Sequence, residues 1–312
     1  MSMESRPLGT SGIRVAPLAL GGNVFDWTAD EKTSFAILDR FVEAGGNMID
    51  TADAYSAWVP GHKGGESEAL IGRWLRRSGK RDQIVIATKV GFMAGLAPNV
   101  VEQACNASLE RLGIETIDLY YQHKDDETVP LADSLGAFER LVEQGKIRAI
   151  GLSQFSAGRV DEAVGVARAN GLTPPSALQT WYNMVERERF EGELRDAALR
   201  HGLAVLPFYS IANGFLTGKY RSREDLGKST RGMRSADYLE GKGMRVLTAL
   251  DEVAAETGTA VATVAIAWTF AQPAVAAALA SATSVEQLDE LTAAMHLTLT
   301  PEQIGRLNSA SV

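Results

Sequence analysis

The sequence predicts an α/β fold, a (β/α)₈ TIM barrel with an N-terminal β-hairpin. Three observations carry this reading. Short apolar β-type runs alternate with helical stripes roughly eight times, the count of such a barrel. Polar residues follow the ends of successive strands. No Gly-x-Gly-x-x-Gly opens the first helix, as the dinucleotide-binding form of the competing doubly wound sheet requires; Gly21-Gly22-Asn23 is the nearest glycine-rich element. With no internal repeat and no low-complexity linker, residues 1–312 read as one domain.

The elements follow in order. The stretch 6–15 predicts a hairpin turning at Thr10-Ser11-Gly12. Residues 18–20 form a strand, followed by a helix from about Asp30 to Ala44 that closes at Gly45-Gly46. The strand at 47–49 precedes a helix carrying Leu70, Ile71, Trp74 and Leu75 at helical spacing. The strand at 83–88 leads to a helix with Val101, Cys105, Leu109 and Leu112 on one face, stopped by Gly113. After a strand at 117–121, a helix starting at Pro130 aligns Leu131, Leu135, Phe138 and Val142 before Gly145. Strands at 148–151, 177–178 and 204–208 continue the series. A helix near 261–271, a strand at 276–280 and a helix at 285–295 complete it. The long connection 210–243, with Arg221, Arg223, Lys228, Arg231 and Arg234, reads as a lid or binding loop.

Composition narrows the function. Hydrophobic residues make up 45% of the chain, enough for a sizeable core, and the formal net charge is −8. Without a dense Lys/Arg block, neither nucleic acid nor an anionic membrane is an expected partner. The single cysteine, Cys105, rules out an intramolecular disulfide and reads as a small core residue. Residues 1–9 hold no apolar signal segment, and no run of about 20 apolar residues occurs. A cytoplasmic, soluble protein is expected.

The strand ends supply the chemistry. Asp50, Lys89, His123, Ser153, Gln179 and Tyr209 each end or follow a predicted strand. In a barrel such ends converge on one face. Tyr55, five residues after Asp50, is within reach of that mouth. A free tyrosine, with a pKa near 10, is a poor acid at neutral pH. A lysine held by Asp50 is expected to favour the phenolate, and His123 to orient a substrate oxygen. A phenol tuned this way suits protonation of a developing alkoxide in carbonyl reduction. Trp27, Trp58 and Trp181 are candidate pocket residues.

These residues resemble the aldo-keto reductases. The match lies in Asp50-Thr-Ala-Asp-Ala-Tyr55, Ala87-Thr-Lys89-Val and Tyr121-Gln-His123, with Leu8-Gly-Thr-Ser-Gly-Ile-Arg-Val and Phe215-Leu-Thr-Gly-Lys-Tyr220 as further signatures. It runs from about residue 6 to 308. The resemblance implies Asp50, Tyr55, Lys89 and His123 as the catalytic set. It also implies a nicotinamide dinucleotide bound in extended form, without a Rossmann domain. The implied cofactor contacts are Gly22 and Asn23 at the first strand end, Ser153, Gln154 and Gln179 at the carboxamide, Tyr209 on the nicotinamide ring, and Asp50. Ser210, the backbone through Leu216, and Lys219 would approach the pyrophosphate. Ser281, Thr283, Gln287 and Glu290 would meet the adenosine end, at a helix N-terminus suited to phosphate.

The sequence departs from the family pattern in three places. Ser153-Gln154 stands for the usual Ser-Asn pair, Ser281 and Thr283 for a frequent Gly and Arg, and Leu291 for an Asn. The branch resembling potassium-channel beta subunits also carries a hydroxyl residue at the position of Thr283, with a loop arginine at that of Arg231. NADPH/NADP⁺ is therefore expected over NADH, with a small-molecule carbonyl as substrate. The alternative is a non-catalytic NADP-binding regulatory module like those beta subunits, which depart from the reductase pattern at His123. A metallohydrolase would need Asp50, Asp53, His123 and Asp125 as ligands, but the four histidines show no ligand spacing. Gly151-Leu-Ser-Gln-Phe155 lacks the closing glycine of a serine-hydrolase elbow. Oligomeric state and the particular carbonyl leave no signal in the sequence.

Overall fold

The computed structural model describes residues 5–312. The stretch read as free of a targeting segment therefore lies partly outside the described residues. Strands β1 (Arg6–Pro7) and β2 (Arg14–Val15) pair antiparallel, with Arg6 opposite Val15, as the hairpin reading expected. Eight parallel strands follow: β3 (Leu18–Gly21), β4 (Met48–Asp50), β5 (Val85–Val90), β6 (Leu119–Gln122), β7 (Ile150–Ser153), β8 (Ala177–Trp181), β9 (Ala204–Phe208) and β10 (Ala278–Ala280). They run in the order β10-β3-β4-β5-β6-β7-β8-β9. Closure comes from a parallel bridge between Val205 and Val275. There the Val205 N–H donates to the Ala274 carbonyl, and the Ala276 N–H to that of Val205, both at 2.9 Å. The fold is a (β/α)₈ barrel.

Helices α1 (Glu31–Glu43), α2 (Glu66–Ser78), α3 (Pro98–Leu112), α4 (Leu131–Glu143), α5 (Ala157–Ala169), α6 (Glu193–His201), α7 (Lys242–Thr257), α8 (Val261–Phe270), α9 (Val285–Ala293) and α10 (Pro301–Ala310) surround it. Local chemistry sets their ends. The Asp30 side chain accepts the Thr33 N–H at the start of α1, and Gly113 turns left-handed (φ 66°) to end α3. The sequence reading named no helix at α5, α6, α7 or α10. Two of these have thin buried stripes: α6 buries only Ala197 and Ala198, and α10 only Leu307. Connection 210–243 contains three 3₁₀ segments, Ala212–Thr217, Arg223–Lys228 and Gly232–Tyr238. Among the described residues no single helix is long and apolar enough to cross a membrane.

Two apolar layers result from strand alternation. On β5, Val85 and Ala87 face the barrel interior while Ile86 faces the helices. The interior is filled largely by small residues such as Ala19, Ala149, Ala177, Ala204 and Ala277, with Leu8, Ile13 and Val15 of the hairpin region in the same cluster. The hairpin thereby plugs the end away from the polar strand termini. Cys105 is buried in the outer layer, where burial pushes its thiol up to about 12, as befits a core residue.

Candidate active site

The same alternation aims the polar strand-end residues inward. Asp50 follows Met48 by two residues, Lys89 follows Val85 and Ala87, and His123 follows Leu119 and Tyr121. Ser153 follows Ala149, Gln179 follows Ala177, and Ser281 follows Ala277 and Leu279; each preceding residue belongs to the interior cluster. All six therefore point into the carboxyl-end mouth. Gly151 is required beneath them, because a Cβ there would stand 2.3 Å from the Tyr121 ring.

Lys89 and Asp50 are wholly buried and paired at 2.6 Å. The Lys89 ammonium also donates to the Thr51 carbonyl at 2.8 Å and to the Tyr55 hydroxyl at 2.9 Å. Tyr55 donates to Asp50 Oδ2 at 3.2 Å, and Gln179 Nε2 to Asp50 Oδ1 at 2.8 Å. Every one of these charges has fixed partners. The expected ammonium–phenol contact is present, but the expected net lowering of the phenol is not. Burial, reinforced by the Asp50 carboxylate, holds Tyr55 well above its ordinary value, so it stays protonated. Burial pulls Lys89 down, with Asp50 opposing. Burial and then the Lys89 charge hold His123 down to about 2, leaving a neutral imidazole.

A second buried cluster lies behind this one. Glu68, on α2, pairs with Arg111 at 2.6 Å and accepts the Thr88 hydroxyl at 2.6 Å. Asp53 occupies the turn between Asp50 and Tyr55, and its N–H donates to the Lys89 carbonyl at 3.2 Å. Its Oδ1 is buried without a hydrogen-bond partner among the described residues. Burial and then the Glu68 charge push this carboxyl up to about 7. Asp125, needed by the metallohydrolase alternative, is instead clamped by Arg159 at 2.7 and 2.8 Å.

Tyr55 and His123 border a cavity of about 1220 Å³, beyond the roughly 300–1,000 Å³ of a single small-ligand pocket. Asn23, Ser153, Gln154, Gln179, Tyr209, Ser210, Lys219, Arg231, Ser281, Thr283, Gln287 and Glu290 all line it. Asn23 accepts from Ser281 at 2.6 Å, tying the first and last strand ends together. Gln154 donates to the His123 carbonyl at 3.0 Å. Tyr209 packs against Trp181, ring centroids 4.3 Å apart. Gln154, Tyr209 and Asn213 hold φ near +56°, +57° and +56°, a strained backbone that concentrates around this cavity. Ser284 caps α9 through the Gln287 N–H. Lys219 rests on the Tyr220 ring and Arg231 on the Trp27 ring, each 5.0 Å from the centroid.

Three expected cofactor contacts stand elsewhere. Gly22 and Leu216 do not line the cavity, and Asp50, with its partner Lys89, lies behind Tyr55 rather than on its wall. Gly22 is pinned by its N–H to the Asp50 carbonyl, 2.7 Å, and faces Ser67 of α2. Leu216 is wholly buried in the outer apolar layer. Gly21 and Asn213 take their places on the wall. Sequence reasoning missed Phe92 and Met93, which line the same cavity, as does Lys228 of the expected binding loop. Phe92 and Met93 were within reach of it, since they begin the loop directly after the strand carrying Lys89.

A model of the Aldo/keto reductase family matches residues 17–312. The chain belongs to the aldo/keto reductase family. Among the relatives of this chain, "Uncharacterized oxidoreductase YrpG" of Bacillus subtilis is 33% identical, over 98% of this chain and 95% of its own length. "Probable voltage-gated potassium channel subunit beta" of Oryza sativa is 29% identical, over 98% and 96%. "Aldo-keto reductase yakc [NADP(+)]" of Schizosaccharomyces pombe is 29% identical, over 87% and 81%.

Proposed function

We propose that this family member reduces an aldehyde or ketone with NADPH, Tyr55 serving as the proton donor. The observation that carries the reading is the 2.9 Å contact of Lys89 with a protonated Tyr55, beside neutral His123, on the floor of the cavity.

The wall fits a nicotinamide dinucleotide. Ser153 Oγ and Asn213 Oδ1 are buried with no hydrogen-bond partner among the described residues, and both belong to residues of the cavity wall. These suit the polar groups of such a cofactor. Lys219 and Arg231 form no ion pair among the described residues, as suits cations that meet phosphate, and the α9 N-terminus offers backbone N–H groups nearby. The name of the Schizosaccharomyces pombe relative supports NADP(H). When bound, the reduced nicotinamide supplies a hydride to the carbonyl carbon. His123, neutral, donates a hydrogen bond that orients the carbonyl oxygen. Tyr55 gives its phenol proton to that oxygen as negative charge develops. The burial that raises the phenol disfavours the alkoxide held beside it as well, so the proton passes to the developing alkoxide. Lys89 then steadies the phenolate left behind, and Asp50 keeps the ammonium in place.

A non-catalytic dinucleotide-binding module is the second reading, supported by the name of the Oryza sativa relative. Turnover of 4-nitrobenzaldehyde decides between them. The proposal expects NADPH oxidation with a higher kcat/KM than for NADH. No turnover at saturating NADPH supports the binding module, and equal or better use of NADH overturns the cofactor assignment.

A further inference from the structure

Among the described residues six large apolar side chains are exposed, and three of them, Trp58, Phe92 and Met93, line this one cavity. They arrive on two different loops, after β4 and after β5. Together with the candidate proton donor they form a row of rings. Trp58 meets Tyr55 at 6.2 Å and 62°, Tyr55 meets His123 at 6.0 Å and 75°, and His123 meets Phe92 at 5.0 Å and 42°. Trp27 backs Trp58 edge-on at 5.4 Å. Tyr55 and His123 thus sit in the middle of an aromatic row whose two outer members reach solvent. Exposed apolar surface grouped around a cavity marks a place where something apolar is bound.

The polar groups at this end are few. The Gln154 amide nitrogen is already used by the His123 carbonyl, and Tyr55 and His123 are themselves committed to the carbonyl oxygen. A substrate rich in hydroxyls would bury them here without partners, at a cost in affinity. A flat apolar body gains on every count. Its rings stack or meet edge-on with Trp58 and Phe92, and it covers the rim surface that water now touches. Trp58 and Phe92 each stand one ring contact out from Tyr55 and His123, on opposite ends of the row, so a body of several rings covers more of their exposed surface than a single ring does.

We propose that the substrate is a planar aromatic ketone or aldehyde of two or more fused rings, its oxygen at Tyr55 and His123 and its rings running outward between Trp58 and Phe92. This rests on the reductase reading and names the substrate class of that same site.

The test is the KM and kcat, with saturating NADPH, for butanal, benzaldehyde, 2-naphthaldehyde and anthracene-9-carbaldehyde. KM is expected to fall at least about fivefold from benzaldehyde to 2-naphthaldehyde, the scale of one added aromatic contact. Trp58→Ala and Phe92→Ala should each shrink that ratio, while the NADPH dissociation constant, followed by tryptophan fluorescence, stays within about twofold. Equal KM for one ring and two, or a preference that survives both substitutions, overturns the proposal. If no aldehyde is reduced at all, the reductase reading falls by itself. The ring proposal is then decided by direct binding to the NADP⁺-loaded protein: tighter binding of 2-naphthaldehyde than of benzaldehyde sustains the aromatic slot, and equal dissociation constants overturn it.

Discussion

Lys89 and Arg231 are cations near the same cavity, and their surroundings are opposites. Lys89 is wholly buried at a strand end, bound at once to a carboxylate, a backbone carbonyl and a phenol. Arg231 hangs from the long connection after β9, and its guanidinium lies over the Trp27 ring with no carboxylate partner among the described residues. Lys219, on the same connection, likewise rests on a ring. The barrel side is complete before any ligand arrives, because buried charges are tolerable only when each is paired. The loop side keeps Lys219 and Arg231 in reserve, parked on aromatic faces that bind them weakly. A group that takes part in a proton transfer needs the first arrangement, and a group that greets a phosphate needs the second.

Exchanging the two cations for methionine breaks this comparison most sharply. Lys89→Met strands the buried Asp50 carboxylate, so the fold should lose about 3–5 kcal/mol, and kcat should drop by about 10²-fold or more. Arg231→Met should leave stability nearly unchanged and raise the NADPH KM by about tenfold, the scale of one charge-assisted contact. Urea unfolding and steady-state kinetics on both variants check this. Similar effects of the two substitutions on stability would erase the distinction.

A smaller effect probes the second buried cluster. The folded-state value of Asp53, about 7, lies above its ordinary 3.8. Between those values the folded chain keeps a proton that the unfolded chain has released, so this group's contribution to stability falls as pH rises through that window. His123 works the other way: depressed to about 2 from 6.5, it adds stability as pH rises from about 2 to 6.5. The two oppose each other in weak acid. Asp53→Asn removes the first contribution, so its melting temperature should exceed wild type by roughly a few degrees at pH 8, the gain shrinking toward pH 4. A variant less stable than wild type at pH 8 and equal to it at pH 4 would mean that the carboxylate is held charged.

The contrast between the walls also explains what the sequence made legible. A strand has a strict period of two, so Val85 and Ala87 already aim Lys89 inward, and Leu119 and Tyr121 do the same for His123. Ser153, Gln179 and Tyr209 line the cavity, and Asp50 and Lys89 reach it through their contacts with Tyr55. The loop had no such rule. Leu216 looked like a cavity contact in its motif, yet a left-handed pair, Asn213 and Gly214, turns the chain so that Leu216 packs into the core and Asn213 faces the cavity. Gly22 gave way to Gly21 for a related reason: a one-residue step on a strand reverses the face. The direction of the Tyr55 shift was not readable either, because it depends on how deeply the phenol is buried, and no motif carries depth. Helices α6 and α10 escaped notice because so little of each is buried.

In the proposed reaction the Tyr55 hydroxyl supplies the proton. Single-turnover reduction of 4-nitrobenzaldehyde by NADPH-saturated Tyr55→Phe tests it most directly, alongside a titration of NADPH binding. The rate should fall by about 10²–10⁴-fold, the usual contribution of a positioned general acid, with the NADPH dissociation constant within about twofold of wild type. A rate within about threefold of wild type at intact NADPH binding would contradict it, and the acid would have to be sought elsewhere in the cavity.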